Sequence, residues 1–185
     1  MRIKYNAPTV LTFTFVSAAV LLLSHVMPGL AEYWFMVPGR GNFRLGNPRC
    51  WITLVTHVAG HANWTHLLSN FSFILLIGPI LEEIYGSRSL LVMILITALV
   101  TGVLNTIFFS TALMGASGVV FMMILLASFT NFSKGEIPLT FILVLILYLG
   151  RELFNSFSSN NISEFAHIVG GFCGSLFGFF RTPRA

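Results

Sequence analysis

Ser117 sits in "GASGVV", Gly115 to Val120, a hydroxyl between glycines at the point where a long apolar run begins. His66 and Asn70 stand four residues apart, a spacing that puts both on one face of a helix. His167 lies near the start of the last apolar run. Polar and ionisable groups inside lipid-embedded segments are costly, so each of these residues is a functional candidate. A serine hydroxyl is a weak nucleophile until a base accepts its proton, and an imidazole is the natural base. Attack on an amide builds negative charge on the carbonyl oxygen. His66 and Asn70 are side-chain donors for that charge, and the Ser117 N–H at a helix N-terminus is a third. Gly115 and Gly118 permit a tight entry to the helix and close approach of a substrate.

Other chemistries find less support. The chain contains no aspartate, so a Ser-His-Asp triad and a paired-aspartate site are both impossible. His57, His61 and His66 resemble a set of metal ligands, but H-E-x-x-H is absent and no glutamate lies near them, so no metal or other cofactor is expected. Cys50 and Cys173 lack C-x-x-C spacing and read as buried filler. Glu164 precedes His167 by about one helical turn, where it reads as a cap at the start of its helix rather than an orienting group.

The elements that must hold these residues follow from composition. The 185 residues are 56% hydrophobic and 9% charged, against about 25% charged in ordinary soluble domains, with a mean hydropathy of +0.86. This is an integral membrane protein of one domain over residues 1–185, with enough apolar sequence for about six passes of about 20 residues each. The first span, Pro8 to Val26, is long for a signal-peptide core and lacks a small-residue cleavage site, so it reads as retained. Met27 to Trp51, rich in Pro, Gly, aromatics and arginine, suits a segment lying in the interface. Further spans are expected at Trp64 to Tyr85, about Leu90 to Phe109, about Gly115 to Asn131, Ile137 to Phe154 and Glu164 to Phe180. With the N-terminus in the cytosol, the Lys and Arg residues show a modest inside bias.

Alternate spans run in opposite directions, so the second, fourth and sixth all start on one side. His66 with Asn70, Ser117 and His167 therefore fall in one layer near the outer leaflet. Gly170, Gly174 and Gly178 recur every four residues along the sixth span, a smooth strip on which a neighbouring helix packs. The fifth span ends at Phe154, and Phe157 lies in the polar stretch Asn155 to Asn161 that follows, where a tilting helix would admit a substrate.

Taken together, "HANWTHLLSN" with its H-x-x-x-N, the G-x-S-G of "GASG" and "AHIVGGFCG" at Ala166 to Gly174 resemble the rhomboid intramembrane serine proteases in order and spacing. "LEEIYGS", Leu81 to Ser87, resembles the glutamate and Gly-Ser turn that close the family's second transmembrane helix. The resemblance covers about Asn47 to Phe180. It implies an all-α bundle of six transmembrane helices with an interfacial loop between helices 1 and 2. Ser117 would be the nucleophile and His167 the base of a dyad with no acidic third member. His66, Asn70 and the Ser117 amide would form the oxyanion hole, supported by Gly115, Gly118, Phe121 and Gly170.

The partners implied are transmembrane protein substrates within a lipid bilayer, cut near the outer face, with no nucleic acid. The lack of a soluble appendage suits a bacterial inner membrane. Two positions depart from the family pattern. Ile52 and Thr53 stand where Trp-Arg is frequent, with Arg49 and Trp51 nearby, and Phe121 replaces a tyrosine while still able to stack on His167. Two rival readings remain open at this point: a silent relative that binds membrane clients, and a small transporter.

Overall fold

The structure, a computed structural model, describes residues 3–129, 139–144, 146–147 and 161–180, with backbone alone for 140, 141, 144 and 161–164. The described regular elements are helical: α1 (Pro8–Val26), α2 (Leu30–Trp34), α3 (Pro48–Thr56), α4 (Trp64–Tyr85), α5 (Ser87–Phe108), α6 (Ser117–Ser128), α7 (Leu139–Val144) and α8 (Asn161–Phe180). A short 3-10 turn, His57–Ala59, continues α3. Helices α1, α4 and α5 are long and apolar enough to cross a membrane, and α6 is a shorter apolar helix. Phe154, Phe157 and the loop around them lie outside the described residues, as do the Glu164 side chain and all but Leu139–Val144 and residues 146–147 of the expected fifth span.

Local signals explain where helices start. Pro8 and Pro48 open α1 and α3 near the first helical position, where a missing N–H costs nothing. Asn47 and Asn63 cap α3 and α4, their side-chain oxygens accepting from Arg49 N at 3.1 Å and His66 N at 2.8 Å. The first turn of α1 is held from a distance. Glu82, buried near the end of α4, accepts from Thr9 N at 2.8 Å and Val10 N at 3.0 Å, so a carboxylate sits at the positive end of α1. The glutamate noticed in the sequence thus joins the first helix to α4.

Helix α6 is the centre of the fold. Every residue from Gly118 to Leu126 is buried, so the helix is enclosed on all faces, as an apolar pattern without a polar side requires. It packs most extensively on α8 and also meets α4 and α5. A Cβ on Gly170 would collide with the Gly118 carbonyl, and one on Gly174 with the Met122 carbonyl, so the two backbones touch along the glycine strip.

The segment between α1 and α4 is tied to itself and to the loop before α6. Arg49 donates to the carbonyls of Tyr33 and Glu32 and lies 4.2 Å from the Tyr33 ring centroid, while Trp51 Nε1 donates to Leu45 O at 2.9 Å. Arg49 and Trp51 therefore anchor this segment. Val37 and Leu113 exchange both backbone hydrogen bonds at 3.0 Å.

Candidate active site

The approach to Ser117 is built from three directions. Asn105 Nδ2 donates to Thr111 O at 3.1 Å, Leu113 pairs with Val37, and Gly115 N donates to His57 O at 3.0 Å. Gly115 has φ +129°, which L side chains rarely adopt, and a Cβ there would lie 2.6 Å from His66 Cε1. The His66 ring therefore rests directly on the glycine two residues before Ser117. Ala116 follows at φ −89°, ψ 6°, and gives no side-chain cap, so Ser117 begins the helix with first-turn N–H groups that no side chain caps.

His167 reaches the same place from α8. Its ring stacks on Phe121 with centroids 4.2 Å apart and planes 5° from parallel, one turn into α6. Ser117 and His167 are both half-buried. A Cβ on Gly118 would lie 3.2 Å from Ala166 O and 3.2 Å from Thr101 Cγ2, which makes the α6–α8 crossing close beside both residues. Thus His66 meets Gly115, Phe121 meets His167 and Gly118 meets Gly170, which joins the first turns of α4 and α6 to the first half of α8. These contacts bring His66, Ser117 and His167 into one region of the described structure.

Asn70 enters by a route the sequence did not indicate. It is buried, and its Nδ2 donates to His61 Nε2 at 3.1 Å. The His61 ring meets His66 edge-on at 5.0 Å and Phe71 at 5.6 Å. His61 lies in the turn before α4, so no helical period links it to Asn70; the sequence singled it out only as one of three histidines resembling metal ligands. His57 turns elsewhere, with Nδ1 3.2 Å from Thr53 O and Nε2 3.4 Å from the Thr101 hydroxyl. Among the described residues, no three His, Cys, Asp or Glu side chains come together to hold a metal.

His57 and His61 are both held down to about 4, chiefly by burial; the nearby His66 lowers His61 further. In an unfolded chain they would protonate near pH 6.5. Between pH 6.5 and about 4 the unfolded state binds more protons, so stability is lost as pH falls through that window. The thermal midpoint in detergent is expected to be lower at pH 5 than at pH 7.5, and His57→Asn should flatten the dependence. An unchanged midpoint across this range would contradict the burial of neutral imidazoles.

An apolar cavity of about 460 Å³ between α1, α3 and α5, lined by Thr12, Phe13, Val58 and Ile94, contains none of these residues.

A membrane-type helical protein with a serine at the head of its central helix and a histidine stacked beside it is one class of protein. The profile described as Rhomboid domain matches residues 48–184, and the chain belongs to the rhomboid family. It is 26% identical to rhomboid-like protein 11, chloroplastic, of Arabidopsis thaliana, over 78% of this chain and 58% of that protein. It is 24% identical to rhomboid protease GlpG of Haemophilus influenzae, over 68% of this chain and 67% of that one. The chain thus spans little more than half the length of the Arabidopsis relative.

Proposed function

We propose that this protein is an intramembrane serine protease that cuts transmembrane segments of other membrane proteins near their outer ends. The observation that carries the reading is the His167 ring stacked on Phe121 one turn into the helix that Ser117 begins. His167 takes the proton of Ser117 Oγ as that oxygen bonds to the scissile carbonyl carbon, and the carbonyl electron pair moves onto oxygen. His66, Asn70 and the Ser117 amide receive the oxyanion. When the intermediate collapses, the C–N bond breaks, His167 returns its proton to the leaving amine, and water then releases the acyl group from Ser117.

The reading includes a six-span arrangement with the α1–α4 segment in the interface, the N-terminus in the cytosol and a bacterial inner membrane as the setting. No cofactor enters the chemistry. A peptide bond in an intact transmembrane helix is shielded by its own turns, so substrates with helix-breaking residues near the outer end are preferred.

The test is incubation of purified protein in detergent with a generic transmembrane substrate, beside its Ser117→Ala variant, with the cut mapped by mass spectrometry. Cleavage near one end of the substrate helix by the parent alone is expected. Substrate bound but uncut by both proteins would favour a silent family member that holds membrane clients.

A further inference from the structure

We propose that His61 is a positioning residue for the oxyanion hole: it fixes which face of the Asn70 amide points at the reacting oxygen, and its ring backs His66. This rests on the protease reading above. His61 Nδ1 lies 3.4 Å from Ala59 O, a carbonyl that only accepts, so Nδ1 carries the proton and Nε2 is left as an acceptor. Asn70 Nδ2 fills that acceptor at 3.1 Å. An amide nitrogen has two hydrogens, so one engages His61 and the other stays available to a substrate oxygen.

The need for such a device follows from the softness of an asparagine side chain. Its terminal torsion is broad and two-fold, so the amide turns over at small cost and exchanges N–H for C=O. Turned over, Asn70 would present a lone pair to an oxyanion and repel it. His61, 1% exposed and packed edge-on against Phe71, supplies an acceptor that only the donating orientation satisfies. The same ring meets His66 at 5.0 Å, and His66 in turn lies on Gly115. One side chain thereby sets the aim of both side-chain donors.

A double-mutant cycle between His61→Leu and Asn70→Ala tests this, read as kcat and KM for a transmembrane substrate with thermal unfolding in parallel. His61→Leu is expected to lower kcat by about 10- to 100-fold with KM little changed, less than the about 100- to 1,000-fold for outright loss of a donor. In the Asn70→Ala background the further loss should shrink to about threefold or less. His61→Gln, whose amide oxygen accepts from Asn70, should recover most of the loss. Should His61→Leu unfold, His61→Met carries the same cycle. Equal kcat losses in both backgrounds, a loss confined to KM, or no loss would overturn the proposal. If the parent has no Ser117-dependent turnover, the protease reading fails first and this inference falls with it.

Discussion

His167→Ala and Ser117→Ala are each expected to lower turnover by at least about 10⁴-fold, and the double variant should be no slower than either single. Without the imidazole the hydroxyl keeps its proton, and without the hydroxyl the imidazole has nothing to activate, so either loss removes the whole step. His167 also stacks on Phe121, so an alanine there removes packing together with the base. His167→Phe separates the two effects, since an aromatic ring keeps the stack and offers no proton acceptor. It should match the parent in thermal midpoint and the alanine variant in turnover. A fluorophosphonate should label Ser117 in the parent and leave His167→Phe unlabelled. Appreciable cleavage by His167→Phe would mean that the base lies elsewhere.

On the protease reading, His66→Ala or Asn70→Ala should each cost about 100- to 1,000-fold in kcat with KM close to the parent value, because donors to an oxyanion act on charge that exists only in the transition state. The two sites are not equivalent. His66 covers Gly115, so its removal opens space against the loop leading to Ser117. Asn70 is buried, and its loss strands the His61 acceptor. Asn70→Ala should therefore lower the thermal midpoint more than His66→Ala does, since an unpaired buried acceptor costs more than packing lost at a half-buried ring. Parent-like kcat in both singles and in the double would remove these residues from the oxyanion hole.

Much of this arrangement was legible in the chain. The bounds of α1 and α4, Pro8–Val26 and Trp64–Tyr85, coincide with the apolar runs because a proline and an asparagine mark where helical geometry begins. The fourth span was expected from about Gly115 with Ser117 at the helix N-terminus, and α6 opens at Ser117, with Gly115 and Ala116 in non-helical backbone angles before it. The segment Met27 to Trp51 read as lying in the interface, without stated helices, and it contains α2 and the start of α3. The His61–Asn70 hydrogen bond was illegible because it crosses from a turn into a helix, where neither the helical nor the strand period applies. Glu82 was visible as a residue of a motif, but its partners at Thr9 and Val10 lie more than seventy residues away.

The enclosure of α6 also decides which parts of the molecule can move. A twelve-residue helix, about 18 Å long, that is buried on every face cannot tilt without breaking contacts in all directions at once. Ser117 therefore sits at the head of a helix that its neighbours enclose. The outer helices differ: α4 leaves Leu68, Leu75, Leu76 and Ile80 exposed, and α1 leaves Phe15, Leu22 and Leu23 exposed. Against lipid, such a face slides at little cost, since acyl chains replace one another as neighbours. On the protease reading, a bulky guest is accommodated at the exposed apolar faces of α1 and α4, while the enclosed α6 holds Ser117 in place.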